Sequence, residues 1–203
     1  AAMYVLPQFY QNAMLIAVAA AGVLMLPGGL INAAVSVAAG TLFDRFGARG
    51  PVSIGFACSA LASAMLMIAT PETPIWYMVA CHIIMMIGVP LAMSPCQTHA
   101  LASIPPQLNS DGSTIMNTLQ QVLGAICTAV ATCLLAAGQN TYFAAGGTDS
   151  ALAFTEGSHI GFAFTLIMAV FGFFLAFRIN LQKEQSAQKE ESVADASVLS
   201  SLM

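Results

Sequence analysis

A short charged segment between two long apolar runs constrains the fold of this chain more than any other feature. Residues 40–49 hold one aspartate and two arginines, although the whole chain of 203 residues has only five Lys and Arg. A charged side chain at the centre of a bilayer costs about 2.5–3.5 kcal/mol on insertion scales. We therefore predict that this segment lies at a membrane surface and that the apolar runs on both sides are membrane-spanning helices.

The composition supports the same fold class for the chain as a whole. Charged residues make up 7% of the chain, hydrophobic residues 58%, and the mean hydropathy is +0.81. Soluble domains usually carry about 25% charged residues. We predict an all-α integral membrane protein, a polytopic helical bundle, and we expect no nucleic-acid partner because no basic patch is present.

Five apolar runs are long enough to span a bilayer. A hydrocarbon core about 30 Å thick takes about 20 helical residues. The predicted spans are residues 16–41, 51–70, 74–98, 113–137 and 159–180. The residues before position 11 are predicted to end a further helix, and the apolar start without a basic region suggests the interior of a longer polypeptide.

The polar segments between these runs give the predicted connections and domains. Residues 71–74 read as a tight turn and residues 138–158 as a long Gly-rich and Thr-rich loop. Ser110 and Asp111 end a third loop and are good candidates for the N-cap of the next helix. We assign residues 1–180 to a transmembrane half-bundle and residues 181–203 to a polar tail, mobile or weakly helical.

The basic residues give the orientation of the bundle. With strict alternation of spans, all five Lys and Arg fall on one side, in the 40–50 turn and in the tail. The positive-inside rule makes that side cytoplasmic. We expect a multi-pass protein of the cell (plasma) membrane with a cytoplasmic C-terminal tail.

No motif in the sequence indicates an enzyme. Metalloprotease, hydrolase, nucleotide-binding and dinucleotide-binding motifs are missing from the sequence, and the five cysteines lack metal-ligand spacing. We expect no enzymatic activity, no cofactor and no metal site.

Among the three histidines only His82 lies well inside a predicted span, where it has either a structural, locally hydrogen-bonded role or a functional one.

Polar residues line one face of the span over residues 113–137. Thr114, Asn117, Gln121, Gly124 and Thr128 recur at steps of three and four, which places them on one helix face. Amides inside a membrane need partners because lipid offers none. Two readings stay open, a hydrogen-bonded seam between helices or the wall of a water-filled cavity, and they are compatible if the seam borders the cavity.

Prolines, glycines and a further amide mark two other spans. Pro27-Gly28-Gly29 precedes Asn32, and Gly88, Pro90 and Pro95 occupy a later span. Such residues weaken a helix and allow close approach of a neighbour, either as passive shape features or in a moving pathway. The predicted helix-kink residues are Pro27, Gly28, Gly29, Pro90 and Pro95. The predicted substrate-cavity residues are Met25, Asn32, Met116, Asn117, Gln120 and Gln121.

Two stretches resemble a known transporter family. The pattern Gly40-x-Leu42-x-Asp44-Arg45-x-Gly47-x-Arg49 resembles the cytoplasmic loop motif G-x-L-x-D-R-x-G-R-K of the major facilitator superfamily, although Ala48 and Gly50 thin its basic end. Residues 26–29, together with residues 94–121, look like the fourteen-helix drug:proton antiporter branch of that superfamily. The resemblance implies the C-terminal half of a major facilitator fold, with five complete transmembrane helices and the end of a sixth.

The resemblance also implies a function. It implies part of a secondary active transporter that exports amphipathic drugs or toxic small molecules in exchange for protons, by alternating access. Gly40, Asp44, Arg45, Gly47 and Arg49 would form the cytoplasmic gate motif. The expected partners are amphipathic small molecules, protons, the lipid bilayer and the missing N-terminal half.

Proton coupling needs a titrating group inside the membrane, and the predicted spans hold no membrane-embedded carboxylate. Asp111 and Glu156 are expected at helix ends, so the coupling carboxylates are expected in the N-terminal half. Two alternatives remain. The chain could belong to a major facilitator transporter of a narrower solute, or to a non-transporting membrane subunit or scaffold.

Overall fold

The computed structural model describes the backbone of residues 2–46 and 49–201, and the side chains of residues 2–42 and 50–176 except 99, 102 and 106. All secondary structure in these residues is helical. The elements are α1 (Ala2–Asn12), α2 (Val18–Phe46), α3 (Arg49–Leu66), α4 (Ile75–Ala102), a 3-10 turn (Pro106–Leu108), α5 (Asn109–Ala144) and α6 (Ser150–Ser201). The predicted all-α bundle is confirmed.

Four helices in the described part of the chain are long and apolar enough to cross a membrane. Their spanning parts are Val18–Leu42, Ile75–Thr98, Asn109–Ala144 and Ser150–Ala176. The remaining predicted span, residues 51–70, also forms a helix, α3, but this helix ends at Leu66 instead of residue 70. Its last residues are replaced by a turn in which the backbone N–H of Thr70 donates to Thr73 Oγ1 at 2.7 Å.

The predicted loop over residues 138–158 is wrong. Helix α5 continues to Ala144 and α6 begins at Ser150, so the connection is only a few residues long. Two of the glycines that suggested a loop, Gly138 and Gly157, lie at a helix crossing, where a Cβ on Gly138 would lie 2.6 Å from the Gly157 Cα. Small residues at such crossings let two helix backbones pack directly on each other.

The N-caps also differ from the prediction. Ser110 and Asp111 do not cap α5, because the helix already begins at Asn109, with Leu108 at the N-cap and no side-chain bond there. The 3-10 turn before it leads directly into the helix. Asp149, in contrast, caps α6, and its Oδ1 accepts hydrogen bonds from the N–H groups of Ala151 and Leu152 at 2.8 and 3.3 Å.

The packing places α4 near the centre of the bundle. Helix α4 packs between α2 and α3, and α6 packs on α3 and α5, with α1 against α6. The core combines buried residues of all six described α-helices, most of them from α1 and α4, and the rings of Phe9 and Phe162 lie 6.4 Å apart. Helix α6 runs unbroken past residue 180 to Ser201, so the backbone shows no break where the tail was expected to begin.

Candidate functional site

The seam between α2 and α4 brings together two residues that the sequence singled out, Asn32 and Pro90. Pro90 has no N–H, so the carbonyl of Met86, four residues earlier, loses its usual partner within the helix. The side chain of Asn32 on α2 donates from Nδ2 to this carbonyl at 3.1 Å. The amide therefore replaces the hydrogen bond that the proline removes.

One turn earlier, a glycine on α2 makes room for a histidine on α4. A Cβ on Gly28 would lie 2.5 Å from Nε2 of His82 and 3.0 Å from Cγ of Met86. His82 is 1% exposed, and its Nδ1 has no hydrogen-bond partner among the described residues, while the ring interacts with the backbone of Met25. The histidine is thus packed into the seam and does not face an open cavity.

The predicted kink residues differ in their surroundings. Helices α2 and α4 both continue through their prolines. Pro90 and Pro95 are buried, whereas Pro27 and Gly29 are exposed. Of the two glycines, Gly28 is closely approached by α4, whereas a Cβ on Gly29 would meet nothing within 4 Å.

Helix α5 has an exposed polar face. Thr114, Asn117 and Gln121 are exposed, and Met116 and Gln120 are half-buried. The hydroxyls of this face bond back to their own helix, as Thr114 Oγ1 does to the Ser110 carbonyl at 3.0 Å. The amides of Asn117, Gln120 and Gln121 form no hydrogen bond with any residue whose side chain is described.

A second exposed face of α5 is apolar. Ile115, Leu119, Val122 and Ile126 are more than half exposed and recur at steps of three and four. On a helical wheel they lie on the side opposite Asn117 and Gln121. One exposed side of α5 therefore suits lipid or an apolar partner, and the other suits water or polar groups.

The six predicted cavity residues fall into two groups. Met25 and Asn32 lie on α2 beside α4, and Met25 packs against the buried core. Met116, Asn117, Gln120 and Gln121 lie on α5, which packs chiefly on α6. In the described part of the chain, the structure does not bring the two groups into one shared pocket.

Most of the predicted gate motif lies outside the described residues. The side chains of Asp44, Arg45 and Arg49 lie outside them, and Gly47 is outside them entirely. Helix α2 ends at Phe46 and α3 begins at Arg49. Gly40 is exposed on α2, and a Cβ there would meet nothing within 4 Å, so no close approach occurs at this residue among the described ones.

No metal site is present in the part of the chain that the structure describes. No group of three or more His, Cys, Asp or Glu side chains could hold an ion there. The five cysteines are free thiols. The sequence predicts Glu156 at a helix end, but it lies in the second turn of α6 because α6 begins earlier than predicted. Its side chain is exposed.

Two contacts were missed from the sequence. The bond from Asn32 to Met86 could have been inferred, because Pro90 points to the carbonyl four residues earlier as the one that needs a donor. The crossing of α3 and α4 rests on Gly55 and Gly88, where a Cβ on Gly88 would lie 2.6 Å from the Gly55 carbonyl. No periodic pattern in the sequence marks Gly55 as its partner.

Comparison with known proteins places the chain in a family. The profile described as Major Facilitator Superfamily matches residues 1–128. The lincomycin resistance protein LmrB of Listeria monocytogenes is 38% identical over 185 residues, which is 89% of this chain and 39% of that protein. LmrB of Bacillus subtilis is 35% identical over 180 residues, 86% of this chain and 38% of that protein.

A third relative is the uncharacterized MFS-type transporter YcnB of Bacillus subtilis, 29% identical over 91% of this chain and 39% of that protein. No solved structure gives a significant match. The chain spans about two fifths of the length of the curated relatives it matches. With a family profile that covers more than half of it, the chain belongs to the Major Facilitator Superfamily.

Proposed function

We propose that this chain is the C-terminal part of a secondary transporter that exports amphipathic drugs in exchange for protons by alternating access. The observation that carries the transport function is the polar face of α5. Asn117 and Gln121 are exposed inside a helix long enough to span the membrane, and they have no described partner. Lipid cannot satisfy two amides, so a water-filled cavity or substrate is their best environment.

The substrate class is supported by the relatives. Two of them are named lincomycin resistance proteins, and the chain aligns with them over most of its own length. We propose lincomycin as the first substrate to test. The half-buried Met116 beside the amides would add an adaptable apolar surface, which suits an amphipathic ligand.

The test uses the complete transporter reconstituted in liposomes with an imposed pH gradient. Export of lincomycin and of a cationic dye, both abolished when the gradient is collapsed, is the expected result. Export of lincomycin alone would favour a transporter of narrower solutes. No flux of either compound, from a protein that is folded and inserted, would contradict the proposal and favour a scaffold.

A labelling experiment tests the cavity directly. In a cysteine-free version of the complete protein, Asn117→Cys and Gln121→Cys are compared with Leu119→Cys and Val122→Cys on the apolar face. We expect a membrane-impermeant maleimide to react several-fold faster at the first pair. Equal, slow reaction at all four positions would mean that the polar face is dry and packed.

We further propose that the proton-coupling group lies in the part of the transporter outside this chain. The described spans hold no buried carboxylate, and Glu156 is exposed near the start of α6. His82 is packed against Gly28 in the α2–α4 seam. We expect His82→Gln to keep proton-coupled transport, and loss of coupling without loss of folding would contradict this assignment.

We also propose the membrane topology and the gate. The basic residues support a cytoplasmic turn between α2 and α3 and a cytoplasmic tail in the plasma membrane. Asp44, Arg45 and Arg49 would close the cytoplasmic gate from this turn. Asp44→Asn is expected to abolish net transport while substrate still binds. The orientation is tested separately with a tagged tail, and antibody access only in permeabilised cells would support it.

A further inference from the structure

The turn of α4 from residue 86 to residue 90, here called the α4 hinge, contains a proline and a buried carbonyl without a helical partner. Pro90 cannot donate to Met86, and Met86 is 2% exposed. A buried carbonyl left without a partner costs about 1–3 kcal/mol. In the structure, Asn32 on the neighbouring helix α2 donates from Nδ2 to the Met86 carbonyl oxygen at 3.1 Å, which offsets this cost.

Pro27, the proline of α2, has no such partner. Pro27 releases the carbonyl of Val23 by the same rule, but Val23 is 62% exposed and no side chain donates to its carbonyl among the described residues. Pro95, further along α4, releases the carbonyl of Leu91, which is 6% exposed and also receives no side-chain donor among the described residues. Compensation from a second helix is therefore seen at the α4 hinge and not at Pro27 or Pro95. It is not a general consequence of proline in this bundle.

The α4 hinge is held from both sides. On the α2 side, Gly28 and Asn32 lie one turn apart and contact His82 and Met86, which are also one turn apart. On the α3 side, a Cβ on Gly88 would lie 2.6 Å from the Gly55 carbonyl. The α3 contact is made of tightly packed backbone, whereas the α2 contact depends on a single polar side chain at the hinge carbonyl.

We propose that Asn32 is a positioning residue that fixes the angle between the parts of α4 before and after Pro90, and that its bond to Met86 breaks and re-forms as α2 and α4 move during transport. The proposal rests on the transport function proposed above. The bond stabilises one arrangement of the two parts of α4. Its release frees the part after Pro90, up to Ala102, to change its angle.

The test is a double-mutant cycle in the complete transporter, with Asn32→Ala, Pro90→Ala and both together. We expect Asn32→Ala to lower the maximal transport rate about tenfold, because the Met86 carbonyl loses its donor, while the KM changes little. Pro90→Ala restores the helical N–H. Adding Asn32→Ala to Pro90→Ala should therefore cost little more than Pro90→Ala alone.

Ser36→Ala is the matched control, since in the described part of the chain the Ser36 hydroxyl bonds only to the Asn32 carbonyl of its own helix. It should transport normally. Independent, multiplicative losses from Asn32→Ala and Pro90→Ala would overturn the proposal. So would a loss in the Asn32→Ala variant that appears wholly as a raised KM.

Hydrogen–deuterium exchange separates this proposal from the transport function on which it rests. Asn32→Ala should speed exchange of the amides between residues 87 and 98 and leave α3 unchanged, and Pro90→Ala should suppress that increase. This readout needs no substrate, so it holds even if lincomycin is not transported. Unchanged exchange in the Asn32→Ala variant would overturn the proposal.

Discussion

Helices α4 and α5 are alike in apolar character but differ in what surrounds them. Inside the bundle, 44% of the apolar span of α4 is buried, against 17% of that of α5. Helix α4 packs between α2 and α3, whereas α5 packs chiefly on α6. Hydropathy therefore places both helices in a membrane but does not say which faces they share with other helices.

Among the described residues, α4 and the first part of α5 differ in close contacts at small residues and in matched polar groups. Helix α4 presents Gly88 to a glycine on α3, and its Met86 carbonyl meets a donor on α2. On α5, Gly124 has nothing within 4 Å of a Cβ, and Asn117 has no described partner. We infer that the first part of α5 is shaped to face something outside this chain, as the cavity proposal requires.

The largest expected effect comes from closing the space at the α3–α4 crossing. Gly88→Ala brings a Cβ within 2.6 Å of the Gly55 carbonyl, and overpacking of this kind costs about 1–3 kcal/mol. The matched variant Gly124→Ala on α5 meets open space. It should be neutral or more stable by up to about 1 kcal/mol, because alanine favours the helix over glycine.

Thermal unfolding of the complete protein in detergent measures both variants. A lower midpoint for Gly88→Ala and an unchanged or higher one for Gly124→Ala would support the contrast between the helices. If Gly124→Ala proves as damaging as Gly88→Ala, then α5 is tightly packed in the complete transporter and the contrast breaks.

The general fold could be predicted from the sequence because the membrane imposes it. Long apolar runs must be helical where lipid offers no hydrogen bonds, so the all-α bundle followed from composition and run length. Element ends were harder, since glycine marks both loops and close helix crossings. The sequence predicts Gly138 and Gly157 as loop residues, yet they pack α5 on α6.

The candidate site was predicted only in part. Periodicity placed Asn117 and Gln121 on one face, and the structure leaves that face exposed. The sequence singled out Asn32 as a membrane amide, but its partner is a backbone carbonyl on a distant helix. Side-chain patterns carry no direct signal for a backbone acceptor, so only the chemistry of Pro90 could have revealed it.

The N-termini of α5 and α6 extend the comparison. Asp149 Oδ1 accepts two backbone hydrogen bonds at the start of α6, so Asp149→Ala should cost about 1 kcal/mol. The N-cap of α5 makes no side-chain bond, so Ser110→Ala should leave stability unchanged. Unfolding midpoints of the two variants check this, and an equal loss in Ser110→Ala would mean that it caps α5 after all.

A smaller effect is expected where α4 is tied to α3 by a tyrosine. The Tyr77 hydroxyl donates to the Met65 carbonyl at 3.0 Å, and such interhelical bonds in membranes average about 0.6 kcal/mol. Tyr77→Phe should therefore lower stability slightly. Tyr142→Phe on α5 is the control, because its hydroxyl has no hydrogen bond among the described residues, and a loss of the same size there would contradict the expectation.

The smallest expected change in stability belongs to the polar face of α5. Asn117→Ala and Gln121→Ala remove exposed amides without described partners, so the free energy of unfolding should stay within about 0.5 kcal/mol of the wild type. Transport by the complete protein should nevertheless fall, since these side chains would face the substrate or its water. Stability and flux must be measured on the same preparations. Destabilisation matching that of Gly88→Ala would show that Asn117 and Gln121 belong to a packed seam, and α5 would then resemble α4.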